Sequence, residues 1–284
     1  MGKRCIIVVL LLLFTLEVPT VPMLRKSFLP IALANYRLPA PSSKRGLGTH
    51  HPERCDDGEA LAAAWRYDWQ SDIGMCAGVE SVPMVYSPRQ VRRPFVCPTG
   101  GDSPYLLGFN EPDIPSQANI APAAAVETWL LIEQACPDRL LVSPAPSQLR
   151  PEWLAEFRAA FITQTGREPG WHALAIHCYF ANAARCKAIV RQVVGYAEAW
   201  GVPGDVWVTE FAPVGDVSVD SQAMAEAAEF LRWLEDNPAV ARYAWFPTRL
   251  EGNEFPGADS AVWNVLVDEM GPTQWGELYR EGGR

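Results

Sequence analysis

Two glutamates close apolar runs in this chain of 284 residues. Leu106-Leu107-Gly108-Phe109-Asn110 leads into Glu111-Pro112-Asp113, and Val206-Trp207-Val208-Thr209 leads into Glu210-Phe211. A carboxylate without partners is costly to desolvate, so one that ends an apolar run needs a reason to be there. Cleavage of a glycosidic bond supplies one. It takes one carboxylic acid to protonate the leaving oxygen and a second carboxylate to stabilise or attack the sugar carbon. Either glutamate alone would serve equally well in an ion pair at the rim of a fold. Together they form a candidate catalytic pair, Glu111 and Glu210, whose separate roles the residue types do not assign.

Other side chains suit a sugar site. Trp245 ends one run and Tyr67 and Trp69 end another, and their rings offer flat apolar faces to sugar C–H groups. For Tyr67 and Trp69 an aromatic core pair is the competing reading. His177 and Tyr179 share one strand face with Ala173 and Ala175 by the two-residue period, which puts both on the wall of the site. A histidine there could equally be a structural hydrogen-bonder. Trp207 alternates with Val208 beside Glu210 and is expected to point away from the cleft. Trp129, Trp153, Trp200 and Trp233 fall in helical segments and are expected to pack inward, so the tryptophan count itself says nothing about sugars.

Three other chemistries find no support. His50-His51 with Cys55 lacks a matching second pair, and adjacent histidines on a strand point in opposite directions, so neither metal nor cofactor is expected. Arg45-Gly46-Leu47-Gly48-Thr49 lacks the third glycine and the following helix of a dinucleotide fingerprint. No serine sits in a G-x-S-x-G elbow.

The elements that must carry these residues are eight short apolar or aromatic runs: 45–49, 65–69, 82–86, 105–109, 140–143, 174–179, 206–211 and 242–246. Between the later runs, 123–136, 151–165, 183–200 and 221–236 show helical spacing; in the last, Met224, Ala227, Ala228, Leu231 and Leu234 line one face. Strands alternating with helices require parallel pairing through crossovers. Eight of them predict an α/β protein of the (β/α)8 TIM-barrel type in a single domain. Its active site would lie at the C-terminal strand ends, where the two glutamates fall.

At the N-terminus Lys3 and Arg4 precede an uncharged apolar run, Cys5 to Leu16, too short for an ordinary membrane span and characteristic of a secretory signal. The small-x-small Ala32-Leu33-Ala34 suggests residues 1–34 as a signal peptide or uncleaved anchor. The Pro/Ser-rich stretch ending at Ser43 suggests a linker over 35–43, leaving 44–284 as the catalytic domain. The formal net charge is −9; removing four bases and one acid with residues 1–34 leaves −12. Such a chain is a poor partner for nucleic acid or anionic membrane and suits a neutral polymer, on which it is expected to act as a monomer. Beyond Cys5 six cysteines remain, an even number compatible with disulfides in a secreted or cell-surface protein. Their pairing is open, and Cys136 and Cys178 read equally well as buried thiols.

The motifs also carry a family resemblance. Asn-Glu-Pro at the fourth run and Thr-Glu-Phe at the seventh resemble the signature of the retaining glycosidases built on (β/α)8 barrels. The strings LLGFNEPD (106–113), QANIAP (117–122), LLVSPAP (140–146), AIHCYF (175–180), VWVTEFAP (206–213) and RYAWF (242–246) resemble glycoside hydrolase family 128 in particular. The resemblance implies an endo-β-1,3-glucanase acting on β-glucan. It implies Glu111 as general acid/base, Glu210 as nucleophile and Asn110 bound to the 2-hydroxyl of the cleaved sugar. It further implies Tyr179 orienting Glu210 and Trp245 as a platform under that sugar. The alternatives are the same mechanism on a β-1,4-glucan or mannan, and a non-catalytic glucan-binding wall protein.

Overall fold

Strand and helix alternate in the folded chain at nearly the spacing read from its apolar runs. A computed structural model describes residues 42–214, 221–250 and 264–283, which belong to one compact unit. The expected signal or anchor over 1–34 and the linker as far as Pro41 lie outside the described residues. The elements run β1 (Arg45–Gly48), α1 (Asp56–Ala60), β2 (Trp65–Tyr67), β3 (Glu80–Ser81), β4 (Tyr105–Leu107), α2 (Pro122–Ala135) and β5 (Leu140–Val142). They continue with α3 (Trp153–Thr165), β6 (Leu174–Phe180), α4 (Ala183–Trp200), β7 (Val206–Pro213), α5 (Ser221–Asp236) and β8 (Val240–Trp245). A short antiparallel pair, β9 (Val267–Asp268) with β10 (Gly271–Pro272), and α6 (Gln274–Arg280) follow; these and α1 carry too little periodicity to be foreseen.

Local chemistry explains the helix ends. Pro122 opens α2 where a missing N–H loses no bond. Asn182 caps α4 by accepting from Ala184 N–H, and α3 and α4 stop at Gly166 and Gly201, both left-handed.

The strands pair in parallel in the order β3-β2-β1-β8-β7-β6, with β4 and β5 as a second parallel pair. Single parallel bridges, Met84 to Leu107 and Val142 to Ala173, join the two sets. The third strand departs from expectation: its ladder sits at Glu80–Ser81, and only Met84 of the expected 82–86 run makes a bridge. Pro83 has no N–H to give, so the ladder breaks there while its carbonyl still accepts from Leu107 N–H.

The two sheet faces build two cores. Leu174, Ile176, Cys178 and Phe180 of β6 face the helices and join Val126, Phe157, Val190 and Leu231 in the larger cluster. Ala173 and Ala175 point the other way, into a smaller cluster with Trp65, Tyr67, Trp207 and Ala244. Glycine makes room for this inner layer: a Cβ on Gly46 would lie 2.1 Å from the Trp65 indole. Trp207 therefore lies on the inner face rather than turned away from it as expected, although deep enough to miss the cavity described below.

The six cysteines beyond Cys5 pair as Cys55–Cys76, Cys97–Cys136 and Cys178–Cys186. The buried-thiol reading of Cys136 and Cys178 gives way to disulfides, each tying a strand end or loop to a neighbouring helix or loop.

Candidate active site

Glu210 reaches its position through an irregularity in β7. Ile176 pairs with Val208, but His177 pairs with Glu210, so Thr209 is an extra residue on the β7 side. Plain alternation would put Glu210 with Val206 and Val208 on the helix-facing side. The bulge resets the phase and turns Glu210 onto the inner face, while Phe211 takes the helix side. Glu111 sits just beyond β4, where Asn110 bridges Ala145 and Glu111 N–H bonds the Ala145 carbonyl at 2.9 Å. Its φ is +39°, and that of Trp69 is +60°, conformations that an L-residue holds only when its surroundings impose them.

The pair is closely spaced. One oxygen from each of Glu111 and Glu210 and a ring nitrogen of His177 lie within 4.8 Å of one another. His177 Nδ1 is 3.1 Å from Glu111 Oε1 and 3.3 Å from Glu210 Oε2. Glu210 accepts from the Tyr179 hydroxyl at 2.6 Å and from Trp69 Nε1 at 2.9 Å, with the Tyr67 hydroxyl at 3.3 Å. Glu111, His177 and Glu210 have the donor atoms to hold a cation, but Glu210 already accepts from Tyr179 and Trp69, an arrangement that suits an organic substrate better.

Burial governs the electrostatics. It raises the pKa of Glu210, as does the nearby Glu111, while His177 and the Tyr179 and Trp69 hydrogen bonds pull it back. Burial opposes charge on His177, yet Glu210 and Glu111 outweigh it and raise the imidazole's pKa. Burial, reinforced by Glu210, holds Tyr67 and Tyr179 well above the usual phenol range, so both remain donors.

The pair opens into a cavity of about 480 Å³. Of the residues expected there, Asn110, Glu111, Tyr179, Glu210 and Trp69 line it. Tyr67 and His177 do not. Both are fully buried beneath it and touch the carboxylates from behind, Tyr67 also donating to the Thr209 carbonyl at 2.8 Å. Trp245 is a correction: Ala244 and Phe246 take the inner face, so Trp245 turns to the helix side. There it packs against Phe211 and Trp275 and donates to the Asn264 carbonyl at 2.8 Å. Its place at the cavity is taken by Phe246, edge-on to Trp69.

Sequence reasoning missed His50, Asp68, Tyr86, Gln117 and Phe246, all on the cavity wall. His50 stacks on Trp69 at 4.5 Å, while its neighbour Cys55 is bound in a disulfide. Burial raises the pKa of Asp68. Gln117 and Phe246 carried a signal, as the first residue of the QANIAP string and the last of RYAWF.

Two carboxylates set this close at the ends of parallel strands, above an aromatic floor, define the centre of a glycosidase. The chain belongs to the glycosyl hydrolase catalytic core family, which matches residues 46–279, and within it to glycoside hydrolase family 128. It is similar to the solved curdlan-specific exo-β-1,3-glucanase of subgroup III from Blastomyces gilchristii, in complex with glucose, at 27% identity and a TM-score of 0.66, covering 85% of this chain and 99% of that one. It is also similar to the subgroup II endo-β-1,3-glucanase from Pseudomonas viridiflava, at 26% identity and a TM-score of 0.62, over 84% and 97% of the two chains. A curated relative, alkali-sensitive linkage protein 1 of Schizosaccharomyces pombe, is 25% identical over 225 residues. The match takes in 76% of this chain, which spans about two fifths (39%) of that protein's length.

Proposed function

We propose that this chain is a retaining β-1,3-glucanase in which Glu210 attacks and Glu111 moves the proton. The observation that carries the reading is the spacing of the pair. One oxygen of each within 4.8 Å of the other suits the separation of roughly 5–5.5 Å for retention better than the roughly 6.5–9.5 Å at which an inverting pair holds its water. In the first step a Glu210 oxygen bonds the sugar's anomeric carbon as the glycosidic bond breaks, and Glu111 protonates the departing oxygen. In the second, Glu111 takes a proton from water, which attacks the same carbon and releases Glu210. Tyr179 and Trp69 aim the nucleophile by holding its two oxygens, and Asn110 receives the 2-hydroxyl of the cleaved ring.

The parallel strands are read as a closed eight-stranded barrel, which the bridges Met84–Leu107 and Val142–Ala173 support, as does the inner cluster drawn from β2 through β8. Export is supported by the three disulfides among the described residues, which persist in oxidising surroundings. The cleavage mode follows the sequence resemblance and the Pseudomonas enzyme: internal bonds are cut. A second reading, release of sugars from chain ends, is favoured by the likeness to the Blastomyces enzyme.

The test is a time course on curdlan and on reducing-end-labelled laminari-oligosaccharides. Internal cutting yields a spread of oligosaccharides from the first minutes; glucose as the sole early product overturns the endo mode and keeps the glucanase. Binding without release of reducing ends from the unaltered protein overturns both in favour of a glucan-binding protein. Cellulose and mannan in the same panel separate the linkages.

A further inference from the structure

The segment after Glu111 folds back on itself. Ile114 N–H bonds the Glu111 carbonyl at 3.0 Å, Gln117 N–H bonds Ile114 at 3.0 Å, and Ala118 N–H returns to the Asn110 carbonyl at 3.1 Å. The return sets the Gln117 side chain beside that of Asn110, where Gln117 Oε1 accepts from Asn110 Nδ2 at 3.3 Å and from the Tyr86 hydroxyl. Tyr86 is tied to the same place, its carbonyl accepting from Asn110 N–H at 2.9 Å. Asn110 is 3% exposed, lines the cavity, and leaves its Oδ1 without a partner among the described residues.

A primary amide has a donor end and an acceptor end, and its terminal torsion has two broad wells about half a turn apart. Whatever holds one end decides what the other offers. We propose that Gln117 is a positioning residue that fixes the polarity of Asn110, holding Nδ2 so that Oδ1 faces the bound sugar as an acceptor for its hydroxyl. This rests on the reading that the cleaved ring places its 2-hydroxyl at Asn110. The Tyr86 phenol, kept protonated by burial and by the two glutamates, takes the other lone pair of Gln117 and stops that amide from turning. Without Gln117 the Asn110 amide populates both orientations, and the loss falls only on substrates that carry the hydroxyl.

The experiment compares aryl β-laminaribiosides that bear either a hydroxyl or a hydrogen at position 2 of the cleaved ring. In Gln117→Met the ratio of kcat/KM between them falls by about fivefold or more, the worth of one neutral hydrogen bond, while the deoxy substrate is barely affected. Gln117→Glu still accepts from both donors and keeps the ratio near that of the unaltered enzyme. Equal losses on both substrates, or Gln117→Glu behaving as Gln117→Met, overturn the proposal. A second readout is independent of turnover: the side-chain amide signals of Asn110 in nitrogen-15 NMR, assigned by their loss in Asn110→Ala. They shift in Gln117→Met and hold in Gln117→Glu; signals that stay put in Gln117→Met overturn the proposal. If the unaltered protein cleaves neither glycoside, the hydrolase reading fails, and the NMR comparison still decides the role of Gln117.

Discussion

His177 gives one ring nitrogen to two carboxylates, whose surroundings differ in the way the proposed roles require. Glu210 is buried with three donors around it, the setting of a nucleophile held in one pose, whereas Glu111 lies half-buried at the cavity edge where a leaving group or water can reach it. Glu111→Gln is expected to lower kcat/KM on β-1,3-glucan by about 10²–10⁴-fold, the range for loss of a general acid. Aryl glycosides with good leaving groups should lose far less in the glycosylation step, and equal losses in that step would count against the assignment. A 2-fluoro glycoside should label Glu210; a label on Glu111 would reverse the roles.

The same carboxylate predicts a pH effect on stability. Because burial raises its folded pKa, Glu210 keeps its proton in the folded state after the unfolded chain has released its own, and stability falls as pH rises past about 4.5. Neutral Glu210→Gln should therefore melt higher than the parent protein near pH 7, the gap closing toward pH 4. Coincident melting curves at pH 7 would refute this.

Among elements, the close approach of the chain just past β4 to that just past β5 supports the site. Gly108 stands two residues before Asn110, and a Cβ there would lie 2.7 Å from Pro144 N and 2.8 Å from the Ser143 carbonyl carbon, backbone that cannot swing aside. Gly108→Ala should cost about 1–3 kcal/mol in denaturant unfolding and reduce kcat as Asn110 and Glu111 shift, since overpacked cores respond by moving backbone. Unchanged stability and turnover would show that the strands have slack. The disulfides offer a graded comparison. Cys97–Cys136 spans 39 residues and Cys178–Cys186 only 8. Loop-closure entropy then predicts losses of about 4 and about 2.5 kcal/mol when each is replaced by an alanine pair. Cys178 lies between His177 and Tyr179, so the shorter bridge also pins the stretch of β6 that carries both. Its removal should lower kcat, while removal of Cys97–Cys136 should not; equal effects on kcat would separate the bridge from the site.

For the whole molecule, acidity fits the proposed neutral substrate through indifference. A chain of net charge −9 gains no long-range attraction from a neutral glucan, so raising salt, which screens exposed charges beyond roughly 3–10 Å, should leave kcat/KM on a soluble β-1,3-glucan almost unchanged. A steep fall with salt would point to a charged polymer.

Much of this architecture was legible in the chain. The long helices and seven of the eight strands follow from periodicity, capping and glycine stops, because these are interactions between residues close in sequence. The carboxylate pair was legible for a related reason: a charged residue ending an apolar strand stands out without knowledge of what lies opposite. Faces and partners were not, since they depend on the neighbouring strand. Only pairing with β6 and β8 shows that β7 carries an extra residue at Thr209, and that one-residue shift decides that Glu210 faces the cavity. The end of the eighth run and the family resemblance pointed to Trp245 as the ring at the cavity, where Phe246 stands instead. Cysteine pairing and the link from Gln117 to Asn110 likewise needed the fold, because each joins side chains that only tertiary contacts bring together. The residue types and local order of the chain thus determined the kind of chemistry and the elements that carry it. The tertiary structure alone decided which side chains meet, because strand register, unlike periodicity, belongs to two segments at once.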